Sequence, residues 1–138
     1  MNGNDQSGQL SAFLVVLVVP LVATAGLVAD GGGVLAAHQD AISTALEAAR
    51  AGAQAVDLSV LRSSGAVVLD QSEARAEAWS YLSGAGQSGT VVVSGSEVTV
   101  TVTLRHNLAV LSAFGVGPVT VSGTATATAV QGLEGPGS

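Results

Sequence analysis

Few side chains in this sequence have the types and spacing that chemistry needs. His38 lies in an alanine-rich stretch, and His106 follows Arg105. Two isolated histidines without cysteine or an E-x-x-H spacing make a poor metal site, so both read as polar surface groups. Glu73 and Glu77 stand one helical turn apart with Arg75 between them in sequence. Paired carboxylates can share general acid–base work, but here they read as a solvated helix face. Gly31-Gly32-Gly33 has no following Lys or Ser/Thr of the phosphate-loop kind, and Gly115-Val116-Gly117 follows no nucleotide-binding pattern. No serine sits in G-x-S-x-G. The absence of cysteine excludes disulfides and thiolate metal ligands. The expectation is a non-enzymatic protein with no cofactor and no small-molecule substrate.

The elements that would position these residues start with an apolar segment. Residues 10–29, LSAFLVVLVVPLVATAGLVA, carry no charge, and the uncharged run extends from Gln6 to Ala29. At ~1.5 Å per residue, twenty helical residues match the ~30 Å hydrocarbon core of a bilayer. A backbone crossing lipid must satisfy its own hydrogen bonds, so the segment reads as a transmembrane helix behind a short polar N-terminus, residues 1–9. A cleaved signal peptide is the competing reading, with Ala23-Thr24-Ala25 as its small-residue site before Gly26. Against it, residues 1–9 hold no Lys or Arg, and the apolar run continues past Gly26. Pro20 removes one backbone donor and predicts a kink. Asp30 closes the segment as a membrane-interface residue, and Gly31-Gly32-Gly33 predicts a hinge there, each glycine weakening a helix by about 1 kcal/mol.

The remainder suits one small domain. Its core is thin, because most apolar residues are Ala and Val and the chain has one Trp, one Tyr and two Phe. The net charge is −6, with no lysine and only Arg50, Arg62, Arg75 and Arg105, which argues against nucleic acid and anionic lipid surfaces. Residues 30–56 read as the hinge and an Ala-rich amphipathic helix with a packing stripe of Leu35, Ile42, Leu46, Ala49 and Ala53. The stripe packs either on its own domain or between subunits of an assembly. Residues 57–131 read as an extracytoplasmic α+β domain. Asp57 caps a short turn ended by Ser63-Ser64-Gly65, and residues 66–69 form a short strand. Asp70 and Glu73 have capping-box spacing for a helix through Leu82, with Ala74, Ala78, Tyr81 and Leu82 inward and Trp79 half-buried. Residues 90–94 and 97–104 form a hairpin about Gly95-Ser96, with Val98, Val100, Val102 and Leu104 on one face and Thr99, Thr101 and Thr103 on the other. Asn107 caps a short helix closed by Gly115. Residues 118–131 form a last strand whose small inner residues suit a close-lying helix, and residues 132–138 form a loose tail. The fold class is α+β: a transmembrane helix extended by an Ala-rich helix, then a small antiparallel sheet with helices on one face. The element order after the long helix, βαββαβ, is that of a ferredoxin-like sheet.

This layout resembles the TadE/TadG-like proteins of Flp (tight-adherence) pilus systems, which are single-pass, pilin-like membrane proteins. The residues that carry the resemblance are Gly8-Gln9-Leu10 opening the apolar helix and Val28-Ala29-Asp30-Gly31-Gly32 closing it. Also matching are the run from Ala48 to Asp57, AARAGAQAVD, and Ala78-Trp79-Ser80-Tyr81-Leu82 before the Val/Thr strands. The resemblance implies a minor pilin or assembly factor at the cell membrane. Its domain would be extracytoplasmic, and its partners would be the lipid bilayer and other pilus subunits met through the N-terminal helix. It also implies a prepilin processing site at Gly8 and Gln9. Such sites have Glu five residues after the Gly; here that position is Phe13. A membrane-tethered ligand-binding or adhesion domain is the alternative function.

Overall fold

The computed structural model describes residues 3–130, and it is α+β: one long N-terminal helix, then short helices and a three-stranded antiparallel sheet. Helix α1 spans Gly3–Gly52 without interruption. It is one of only three α-helices among the described residues, followed by α2, Leu58–Ser64, and α3, Gln71–Gly84. The strands are β1, Ser88–Ser94, β2, Glu97–His106, and β3, Val119–Thr128, with a 3-10 turn at Leu111–Phe114 between the last two. The described residues form two compact units, 3–35 with 106–119 and 36–105 with 120–130.

The expected hinge at Gly31-Gly32-Gly33 does not form. All three glycines are helical. Their propensity penalty is borne because a helix already nucleated on both sides propagates cheaply. Helical geometry also continues through Pro20, whose carbonyl accepts a hydrogen bond from Thr24 Oγ1 at 2.7 Å. At its other end α1 stops at Gly52, earlier than expected, and winds down through tightening turns in which Gln54 N–H bonds the Ala51 carbonyl and Ala55 N–H that of Gly52.

The second unit holds the core. Two of the three caps read from the sequence are present: the Asp57 carboxylate accepts from the N–H groups of Ser59 and Val60, and Asp70 from those of Ser72 and Glu73. Gly65, in the left-handed region at φ 71°, ends α2. On α3 the buried residues are Ala74, Ala78 and Leu82. Tyr81, expected inward, instead stays 41% exposed like Trp79, because the sheet meets α3 along the narrow i, i+4, i+8 line of the other three. β1 and β2 pair from Ser88↔Thr103 to Ser94↔Glu97 around the two-residue Gly95-Ser96 loop. Gly95 has φ 61° and no residue other than glycine has positive φ among the described residues, the combination of a type II′ turn.

Val98, Val100 and Val102 are fully buried against the helices, while Thr99, Thr101 and Thr103 lie on the other face. There Thr99 pairs with Thr126 and Thr101 with Thr124, at 2.8 and 2.9 Å between hydroxyls, so β2 and β3 run antiparallel. The strand expected at residues 66–69 is reduced to a single bridge between Val56 and Leu69. Leu69 is followed at once by the Asp70 cap, which turns the chain into α3. The sheet order is therefore the meander β1-β2-β3, not the four strands of a ferredoxin-like βαββαβ fold.

The buried face of α1 in this unit is Ala41, Ala45, Ala48 and Ala49. Gly123 of β3 explains that choice. A Cβ at Gly123 would run into the backbone of Ala41 and Ile42, so strand and helix touch main chain to main chain. Small residues beside this contact, Ala41 and Ala45, keep the helix close to the strand. Ile42 and Leu46 flank it half-buried, Ala53 is partly buried, and Leu35, one turn and more before Ala41, is 60% exposed. The packing face is thus rotated by about one residue from the stripe expected, sharing Ala49 with it.

Candidate functional site at Asp30

In the first unit the apolar run of α1 ends at Asp30, and Asp30 is the one buried charged residue among those described, 3% exposed. Its carboxylate accepts hydrogen bonds from three successive backbone N–H groups of the loop between β2 and β3. Ala109 N–H reaches Oδ1 at 2.7 Å and Leu111 N–H reaches Oδ2 at 2.8 Å. Val110 N–H is shared between the two oxygens at 3.1 and 3.0 Å. Val110 and Leu111 stand at the start of the 3-10 turn Leu111–Phe114, where N–H groups lack a partner within the turn, and Ala109 directly precedes its cap. Val110 occupies its cap position with no side-chain bond, and Asn107, expected as the cap, does not serve. A residue 79 positions away does the work of a local cap.

The electrostatics agree with the geometry. The Leu111 N–H does most to hold the Asp30 carboxyl below its ordinary value, burial opposes it, and the N–H groups of Val110 and Ala109 and the charge of His106 add to the lowering. A carboxylate saturated with donors is a clasp, not a proton shuttle. Two glycines of α1 admit the loop beside it. A Cβ at Gly26 would stand 2.5 Å from Val110 Cγ1, and one at Gly33 would stand 2.6 Å from His106 Nε2. Gly31 and Gly32 face open space. Past the clasp, Val110 and Phe114 line an apolar cleft with Val18, Val19, Val22 and Ala23 of α1.

The other residues singled out in the sequence do not converge. Gly8 and Gln9 are exposed on α1. His38 and His106 are half-buried, and no group of three or more His, Cys, Asp or Glu is arranged for a metal among the described residues. Glu73 and Glu77 are exposed on α3 and border a shallow polar dent with Gln54. Asp30 was legible as the end of the apolar run, but its partners were not. The one available signal was an uncharged loop, Asn107 to Pro118, with no acceptor side chain directly before its turn. Residues 132–138 lie outside the described residues. Compared with protein-family models, curated proteins and solved structures, the chain gives no significant match to any of them.

Proposed function

We propose that the chain is a single-pass, pilin-like membrane protein, a minor subunit or assembly factor of a Tad/Flp-type pilus that works through helix packing and subunit contacts, with its domain outside the cytoplasm. The observation that carries this is α1. A single helix bears, at its N-terminal end, an apolar stretch long enough to cross a membrane and exposed from Leu10 to Val28 at nearly every large residue. At its other end the same helix supplies four core alanines. An exposed apolar surface of this size needs lipid or other subunits to cover it. Asp30 at its aqueous end and the glycine-admitted loop give the span a defined boundary. The partners are the bilayer and neighbouring pilin-like helices.

The test is fractionation followed by crosslinking in intact cells. The chain stays with membranes through salt and carbonate washes, and crosslinkers placed at exposed α1 positions capture other pilus subunits. A soluble mature protein starting at Gly26 overturns the anchor, and capture of no pilus subunit overturns the assembly role. The threonine face of the sheet, with its rows of hydroxyls on Thr99, Thr101, Thr124 and Thr126, favours a second reading as a tethered adhesion domain. A ligand retained by the domain, and lost with substitutions on that face, would select it.

A further inference from the structure

We propose that residues 110–116 are a second membrane contact, a short apolar wedge whose Phe114 ring enters the acyl-chain layer beside α1. The inference rests on the membrane-anchored reading above and assigns a role to a loop outside the spanning helix. Position is the first reason. Phe114 and Val110 share a cleft with Val18, Val19 and Val22. Those helix residues precede Asp30 by eight to twelve positions, about 12–18 Å along the axis at ~1.5 Å per residue. If the uncharged run from Gln6 to Ala29 lies in lipid, the loop tip beside its middle lies in lipid as well.

Composition is the second reason. From Asn107 to Leu133 the chain has no charged residue, and the tip presents Phe114 at 77% and Val116 at 43% exposure. That apolar surface is continuous with the exposed valines of α1. The third reason is the backbone. Non-helical main chain survives at membrane depth only where its polar groups are satisfied within the protein. Asp30 takes the N–H groups of Ala109, Val110 and Leu111. Those of Ala113, Gly115 and Val116 bond the carbonyls of Val110, Ser112 and Leu111, and the Ser112 hydroxyl bonds that of Ala109. Six of the loop's backbone donors are thereby satisfied within the protein. The charged clasp stays at the boundary while the apolar tip points along the span.

The chain's single Trp and two Phe make the test direct. In full-length protein carrying Trp79→Phe, one variant adds Phe114→Trp and another Phe13→Trp. Both are reconstituted in phosphatidylcholine vesicles with and without bromine on the acyl chains. The expected result is blue-shifted emission from position 114, most of its intensity lost to brominated lipid, and little quenching by aqueous iodide. Position 13 reports the helix itself. If position 13 is quenched by brominated lipid and position 114 is not, the wedge is overturned and the anchor stands, whether 114 is then open to iodide or shielded by protein. If neither is quenched, anchor and wedge fall together.

Discussion

At the scale of single residues, Asp30 is where the sequence and the fold meet least predictably. Its carboxylate serves three amides of one loop, so Asp30→Ala removes both acceptor oxygens at once and leaves the three donors to water. The expected outcome is selective. The amides of Ala109, Val110 and Leu111 lose hydrogen-exchange protection, while those of Val98, Val100 and Val102, in the other unit, keep theirs. Acid titrates the same clasp. The folded carboxyl lies below its unfolded value of about 3.9, so its stabilising effect is complete above that pH and is lost as pH falls through the lower folded value. The protection of amides 109–111 relative to their intrinsic exchange rates, followed against pH, therefore falls only on the acid side of about 4, and the Asp30→Asn protein shows no such step. Gly31 and Gly32 make the opposite case. Both are helical with open space where a side chain would go, so Gly31→Ala and Gly32→Ala each stabilise the protein by roughly 0.5–1 kcal/mol. A shift of the thermal midpoint upward checks this; a hinge at these positions would give none.

At the scale of elements, the hairpin strands and the Asp57 and Asp70 caps were legible and the face of α1 was not. Val98, Val100 and Val102 alternate with threonines in a strict period of two, and the structure buries that set completely. Val100→Asp puts an unpaired carboxylate into the core and is expected to cost more than about 4 kcal/mol, unfolding the sheet domain. Thr101→Asp, on the hydroxyl face, loses one bond to Thr124 and is expected to cost about 1 kcal/mol. Chemical denaturation of the two proteins measures the difference. Asp57 and Asp70 were readable because a cap acts on donors two and three residues ahead. The face of α1 was not, because alanine occurs all round the helix and supplies no contrast. The face is fixed where Gly123, lacking a side chain, lets β3 lie against the backbone of Ala41 and Ile42. The strand expected before α3 failed for a local reason too, since the Asp70 cap leaves Leu69 room for one bridge only. The link from Asp30 to Ala109 left no pattern naming the partner, only an uncharged loop with no acceptor before its turn.

At the scale of the whole molecule, an assembly role turns on surface that folding does not use. Leu35 is 60% exposed, so Leu35→Asp is expected to leave the thermal midpoint unchanged, within about 0.5 kcal/mol of stability. It should nonetheless abolish co-purification of the full-length chain with pilus components. Unchanged co-purification would remove Leu35 from the subunit interface. The clasp adds a consequence in time. Ala109 is made 79 residues after Asp30, a delay of roughly 4–16 s at ~5–20 residues per second of synthesis. During that interval the loop that will bury Asp30 does not exist, and the carboxylate that ends the apolar run is held in water by the cost of desolvating it. On the membrane-anchored reading proposed above, insertion of the nascent helix stops at Asp30 first by hydration and only later by its own chain, a temporary brake that the finished protein replaces with a permanent one.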